Sequence, residues 1–384
     1  MRQGKISAVF MRGGTSKAVI FRRADLPADP ASWPGIFRAV IGSPDVYGRQ
    51  LDGMGGGVSS LSKICIVGPA SRADADVDYT FAQVAVKDGS VDFAGNCGNM
   101  SSAIGPFALE AGLVPVPLGS KATVRIHNTN TNKLILSHFN VVDGVAAVEG
   151  DMSLDGVTGT GSPIRLDFMD PGGTKTGKLL PTGQALDLLE VPGLGLIEMT
   201  MIDAANPCVF VSAEALGATG TELPETLEGM PVLLERLEFI RRSASVLMGL
   251  ANSHEQAAQR KVLPIIAMVS AMKASPLLSG KILHATEADI LVRTISTGQP
   301  HRAVPVTGAL CLGIACRVVG SVPERLLSVT QPDADVRIAH PSGVFVAAAK
   351  VTQKEGAVFA EFATAYRTAR RLFEGFVFYR TGLV

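Results

Sequence analysis

Absences narrow what this chain can be. No two cysteines stand in a CxxC spacing, and the five that occur (Cys65, Cys97, Cys208, Cys311 and Cys316) are odd in number and widely scattered. That pattern fits a reducing compartment and argues against both disulfides and a thiolate zinc site. His254, His284, His301 and His340 show no HxxxH or HxxE spacing, so no metal is expected. An excess of one charge is also missing: Lys plus Arg and Asp plus Glu both number 35, with no basic tract or aromatic-studded basic stripe. Nucleic acid is therefore excluded as an expected partner. No segment runs 18 apolar residues without a break, and "MRQGKISAVFMRGG" at the start has no apolar core of signal-peptide length. The reading is a cytoplasmic protein without a membrane span. GxSxG and GxxxxGK[ST] are both missing, and Ser, His and Asp show no arrangement that favours a triad. No nucleotide, flavin or other cofactor is expected.

What is present is a chain of 384 residues, 47% of them hydrophobic, enough for two domains with well-buried cores. Short apolar runs separated by Gly, Asp and Asn ("KISAVFM", "KAVIF", "KICIV", "ATVRIHN", "LILSHFNVV") make the first half rich in strands. Helical windows are fewer: 29–42, the run after Cys97, 223–250, 307–319 and 360–375. The helices at 98–114 and 307–319 have no polar face and should be buried all round. A helix with no wet face needs a sheet wrapped around it. The expected fold is therefore α+β, two similar halves, each a curled, barrel-like sheet around a central buried helix. Pro106 lies inside the first of these helices at a cost of about 3 kcal/mol, which predicts a kink or break near Gly105. "FMRGGTSKAVIFRRADLP" (10–27) and "TMIDAANPCVFVSAEALG" (200–217) share a strand, turn, strand pattern, consistent with an internal repeat. Punctuation at "LLPTG" and "VPGLG" puts a boundary between 180 and 195, giving domains 1–190 and 191–384. The C-terminal strand could return to the first domain.

One constellation could carry chemistry. Cys97 precedes a predicted helix, so its sulfur would lie near the first free backbone N–H groups, where a negative charge is favoured. The same groups can hold a carboxylate. Gly95 and Gly98 allow close approach, and Asn96 and Asn99 offer amides. In "QLDGMGGGVSSLSKICIV" (50–67) a Gly and Ser loop precedes Lys63 at the lip of an apolar strand, and "MRGGTSK" (11–17) is a second small polar turn with Arg12 and Lys17. Alone, each has a plain reading: a packed thiol, a solvated lysine, a hairpin. Together they give many N–H and hydroxyl donors and few apolar contacts, a pocket for a compact, multiply carboxylated molecule. "HNTNTNK" (127–133) reads as a polar turn, and Cys311 and Cys316 as packing.

The stretches "MRGGTSK", "DGMGGGVSSLSK", "GNCGN" with "GPFALEAGLV", "MIDAANPCVFV" and "RTARRLFEGFV", in this order, resemble the methylaconitate isomerase family, which includes methylitaconate isomerases and 4-oxalomesaconate tautomerases. The resemblance covers nearly the whole chain. It implies a fold like diaminopimelate epimerase, with the active site in the cleft between two similar domains. It places the reactive pair on Lys63 and Cys97. Substrate carboxylates would be held by Thr15, Ser16, Ser59, Ser60, Gly98 and Asn99, with Asn206, Thr307 and Gly308 from the second domain. Where the epimerases use a second-domain cysteine, Thr307 stands near the equivalent place, which argues against two-thiol racemisation.

The implied activity is a cofactor-independent isomerase that moves a proton along an unsaturated di- or tricarboxylate such as 4-oxalomesaconate or methylitaconate. Its dienolate intermediate needs preorganised donors, each worth on the order of 3 kcal/mol. Cis/trans isomerisation as in methylaconitate isomerase is the alternative, disfavoured because "HNTNTNK" departs from the Trp-containing sequence of that branch. A non-catalytic carboxylate-binding protein is a further alternative, against which stands the presence of both Lys63 and Cys97. A pyridoxal phosphate Schiff base at Lys63 is a minor one. The expected partner is the small substrate, with a homodimer as the assembly.

Overall fold

The computed structural model describes residues 3–93, 95–260, 262–296, 298–328, 331 and 334–383. The chain forms two compact units, Met1–Asp167 with Tyr366–Val384, and Phe168–Ala365. The breaks thus fall at 167/168 and 365/366, where the sequence reading has a single one near 190.

In the first unit, β1 (Gln3–Gly13) and β2 (Ser16–Arg22) form an antiparallel hairpin. Its turn needs Gly14, which has φ +52° and whose absent Cβ would lie 2.2 Å from Asn99 Oδ1. A crossover carrying α1 (Trp33–Ile41) brings β3 (Lys63–Pro69) parallel to β2. Next, β4 (Val77–Val84) is antiparallel to β3, and the short β5 (Val91–Asp92) folds back on β4. The crossover with α2 (Gly98–Glu110) then leads to β6 (Lys121–Asn128), parallel to β4, and β7 (Lys133–Val142) closes antiparallel on β6. Strand alternation separates two faces. Ile64, Ile66, Ala82 and Val84 pack on Trp33, Ile36 and Phe37 of α1. The opposite face of β3 and β4, with Lys63, Cys65, Tyr79 and Gln83, looks toward α2, which also packs on β1, β2, β6 and β7.

Within α2 only Asn99 and Glu110 escape full burial, as the all-round apolar pattern predicts. The expected break near Gly105 does not occur: the helix continues past Pro106 to Glu110. Strands enclose it on several sides, and that packing outweighs the missing proline N–H.

The window 360–375 is not helical, contrary to the sequence expectation. Strands Ala357–Arg367 and Ala369–Arg380 occupy it, and the second pairs antiparallel with β1 along its whole length, with one bulge opposite Phe10 and Met11. A full strand edge outweighs the modest helix preference of Ala, Arg and Glu. The window 223–250 holds two helices, Pro224–Glu228 and Pro231–Leu247, because Pro231 can start a helix but not continue one.

The second unit repeats the pairing pattern of the first. Strands Gly195–Ala204 and Asn206–Ser212 form the hairpin, and Asn206–Ser212 runs parallel to Ile265–Ala271. That strand pairs antiparallel with Ile290–Ser296, which pairs parallel with Val336–His340, which pairs antiparallel with Gly343–Lys354. Helix Val306–Ala315 occupies the place of α2 and is buried except at Thr307. The repeat that the sequence shows only faintly is explicit in strand order.

Asp203 shows how this unit fixes its hairpin. Its carboxylate, fully buried, accepts from Thr174 Oγ1, Lys175 N, Thr176 N and Thr176 Oγ1. Asp203→Ala should therefore cost about 3 kcal/mol, since several donors lose a charged acceptor at once. Urea unfolding reads this out; a change under about 0.5 kcal/mol would refute it. Among the described residues no helix is long and apolar enough to cross a membrane.

Candidate functional site

The face of β3 and β4 that looks toward α2 gathers the first set of groups. Lys63 and Gln83 are direct cross-strand partners. Lys63 Nζ donates to Gln83 Oε1 at 2.6 Å and lies 5.0 Å from the centre of the Phe81 ring. Only 8% of Lys63 is exposed. Gln83 Nε2 in turn donates to the carbonyls of Ser59 and Ser62, both at 3.0 Å. One amide therefore ties the ammonium to the Ser59–Leu61 turn, which presents Ser59 to solvent and Ser60 half-buried. Sequence reasoning missed Gln83, because its place opposite Lys63 is set by the β3–β4 register.

The glycines before that turn have a structural task. The buried Gln50 accepts from Gly57 N and Ser62 Oγ and donates to Ser43 Oγ. A Cβ at Gly55 would meet Gln50 Oε1 at 2.2 Å, so the chain closes on that amide only where side chains are missing.

Cys97 is the N-cap residue of α2 and is half-buried, with extended backbone and no capping bond from its side chain. Two residues on, Asn99 Nδ2 donates to Thr15 Oγ1 at 3.2 Å. Asn99 Oδ1 accepts from Arg367 Nε at 3.1 Å. The hairpin tip and the helix start are thereby one assembly: Thr15 is exposed, Ser16 buried beside it, and Gly98 buried at the first helical position. Arg12 is spent on structure, donating from Nη1 to the carbonyls of Gly14 and Thr368. Lys17 lies over the Phe10 ring.

The "HNTNTNK" turn does more than join two strands. Asn128 Nδ2 donates to Asn96 Oδ1 at 3.1 Å, and Asn130 Nδ2 donates to the Phe93 carbonyl at 2.6 Å. Both bonds brace the segment that carries Cys97.

Behind these groups lies a dry layer. Burial pushes the Cys65 thiol up, and the nearby Cys97 adds to that. Burial likewise pushes the Tyr79 hydroxyl up. Cys65 feels Lys63 as well as Cys97, so the expected pair shares a neighbour. Arg367 is pushed down to about 10 by burial, while the adjacent Cys97 sulfur acts in the opposite direction.

In the second unit, Asn206 Nδ2 donates to Thr307 Oγ1 at 2.9 Å, beside the buried Gly308 at the start of helix Val306–Ala315. Those three residues come together within that unit. Lys63, Cys97, Thr15, Ser16, Ser59, Ser60, Gly98 and Asn99 all belong to the first. Among the described residues no group of three His, Cys, Asp or Glu side chains could hold a metal ion.

The thiols differ sharply in access. Cys65, Cys208 and Cys311 are wholly buried, and Cys316 is nearly so, with burial pushing it up to about 12. Iodoacetamide at neutral pH should therefore alkylate Cys97 first. Peptide mass spectrometry checks this; earlier labelling of Cys208 or Cys311 would contradict it.

Comparison with known proteins identifies the family of the chain. The family model described as "PrpF protein" matches residues 3–380. A 2-methyl-aconitate isomerase of Shewanella oneidensis is 41% identical over 98% of this chain and 97% of its own. A 3-methylitaconate isomerase of Eubacterium barkeri is 40% identical, and a 4-oxalomesaconate tautomerase of Pseudomonas putida 37%, each over 98% of this chain and 97% of its own. The crystal structure of a methylitaconate-delta-isomerase superposes with TM-score 0.91 at 39% identity, covering 100% of this chain and 98% of that one. A hydroxyproline epimerase of Agrobacterium vitis, 12% identical with TM-score 0.52 over 97% of this chain and 92% of its own, shows that the fold is that of the epimerases. By a full-length family match and relatives near 40% identity, the chain belongs to the PrpF family.

Proposed function

We propose that this protein is a cofactor-independent isomerase that moves a proton along an unsaturated di- or tricarboxylate, with Lys63 and Cys97 as its acid and base. The observation that carries this reading is a buried lysine, fixed by the neutral Gln83 amide, in the same unit as a half-exposed cysteine at the start of α2, with the buried Cys65 electrostatically sensitive to both. In the direction written, the Cys97 thiolate removes a proton from carbon beside a conjugated carboxyl or keto group. The electron pair spreads into a dienolate. The Lys63 ammonium then gives a proton to the far carbon, and the double bond has moved. Groups held in place before reaction stabilise such a charge without reorganising: Asn99, Thr15, the Ser59 and Ser60 turn, and the N–H of Gly98. The same reading assigns Asn206, Thr307 and Gly308 to carboxylate binding.

Relatives at 41%, 40% and 37% identity are named for three different unsaturated acids. What unites the three names is an isomerase or tautomerase of an unsaturated carboxylate. Methylaconitate-type cis/trans isomerisation through the same dienolate is the second reading, favoured by the 41% relative. We further place the protein in the cytoplasm, on its five free thiols, and as a homodimer, on Phe376 and Phe378, each more than half exposed.

The test is incubation in D2O with 2-methylaconitate, 3-methylitaconate and 4-oxalomesaconate, followed by NMR, before and after EDTA dialysis. Deuterium should enter one of them as its double bond moves, at a rate that dialysis leaves unchanged. No exchange with any of the three would overturn the reading, and activity lost to EDTA and restored by a divalent ion would overturn its cofactor independence.

A further inference from the structure

Arg367 is the last residue of the strand Ala357–Arg367 and belongs to the first unit. Its side chain is buried, only 6% of the residue being exposed. Burying a guanidinium is costly, and such a group persists where its charge or its planar fork is used. Two of its polar contacts are clear. Nη1 donates to the Tyr366 carbonyl at 2.8 Å, and Nε donates to Asn99 Oδ1 at 3.1 Å. The second contact fixes which way the Asn99 amide faces. With Oδ1 turned to the arginine, Nδ2 must point the other way, and it does so toward Thr15 Oγ1 at 3.2 Å. Gly14 keeps the arrangement tight: a Cβ there would lie 2.2 Å from Asn99 Oδ1 and 3.1 Å from Arg367 Cδ. Asn99 stands two residues after Cys97, the N-cap residue of the same helix, so the Nε bond brings the guanidinium to the helix end that carries the sulfur, and the two groups interact electrostatically there.

We propose that Arg367 is a positioning residue with two separable tasks: through Nε it orients Asn99 and Thr15 toward a substrate carboxylate, and through its charge it supports a negative sulfur at Cys97. This rests on the isomerase reading above and adds a residue to it. Arginine suits both tasks because a lysine would keep the charge but lose the directed Nε bond.

The experiment compares full-length wild type with Arg367→Met, Arg367→Lys and Asn99→Ala. Two quantities are read: the rate of Cys97 alkylation by iodoacetamide, from peptide mass spectrometry at one neutral pH, and kcat and KM with whichever of the three acids the wild type turns over. Arg367→Met should slow alkylation at least 10-fold and also raise KM. Arg367→Lys should alkylate within about 3-fold of wild type yet raise KM at least 5-fold. Asn99→Ala should raise KM similarly with alkylation unchanged. A merely structural arginine would lower thermal stability without splitting these quantities. Wild-type alkylation together with wild-type KM in Arg367→Met overturns the proposal, as does equal loss of alkylation in the Lys and Met variants. Should the Met variant fail to fold, the Lys and Asn99 variants decide it by the same thresholds. The alkylation arm needs no substrate, so a wild type inactive on all three acids refutes the isomerase reading while leaving Arg367's effect on the sulfur measured.

Discussion

Lys63→Ala and Cys97→Ala, each as a folded protein, should lose at least about 100-fold in turnover, the scale of a positioned acid or base. The structure gives reasons to expect the fold to survive. Cys97 is half-buried at a helix start where its side chain makes no capping bond, so removing the sulfur costs little packing. Lys63 is held at its tip by one neutral amide and by the face of the Phe81 ring. Truncation frees Gln83 Oε1, while Gln83 Nε2 keeps its bonds to the Ser59 and Ser62 carbonyls. Circular dichroism and thermal melts establish that the variants fold. Cys97→Ser is the sharper control because it keeps the shape and loses an easily ionised sulfur, and it should fail as badly as the alanine variant. If the two residues act as a unit, the double variant will be little worse than either single one. Near wild-type turnover in either single variant would remove that residue from the mechanism.

How far the sequence reveals this depends on the range of each interaction. The absence of a wet face on residues 98–114 and 307–319 is a local property, and the helices Gly98–Glu110 and Val306–Ala315 lie buried as that pattern predicts, although both end short of the expected windows and residues 111–114 and Val319 are not buried. The motifs around Lys63 and Cys97 are equally local, and the family follows from them. In the segment 360–375, which local composition marks as helix, residues 360–367 are strand through pairing with Gly343–Lys354, and residues 369–375 through pairing with β1, more than 350 residues away in sequence. Local composition cannot contain such a partner. Pro106 misleads for the same reason: the sheet that steadies α2 is built from distant strands. Arg367 and Gln83 reach the site from strands whose register has to be known first, although "RTARRLFEGFV" begins on Arg367. Asn128 and Asn130 look like turn formers, and in a turn they are. Their bonds to Asn96 and Phe93 depend on how the loop before α2 closes over β6.

Gln83 is where acid and base can be told apart. Its Oε1 lies 2.6 Å from Lys63 Nζ, so Gln83→Glu would set a carboxylate against the ammonium. An opposite charge at that range holds the proton on lysine, and each pKa unit is about 1.4 kcal/mol. With Lys63 as the acid, removal of the substrate proton by Cys97 is not directly touched, while delivery to the far carbon is impeded. Gln83→Glu is therefore expected to lower isomerisation by about 100-fold, while exchange of the substrate's own proton with D2O falls only about 10-fold, the loss that follows from removing the Nε2 donor to the Ser59 and Ser62 carbonyls. Gln83→Met removes the amide without adding charge. It loosens the Ser59–Leu61 turn, whose Ser59 carbonyl Gln83 Nε2 now holds, and should slow exchange and isomerisation together by about 10-fold. Parallel NMR time courses in D2O give both rates for each variant. Had Lys63 been the base, a carboxylate beside it would keep it charged and stop the first proton transfer, so exchange and isomerisation would collapse together in Gln83→Glu. That outcome would reverse the assigned roles, leaving Cys97 as the donor.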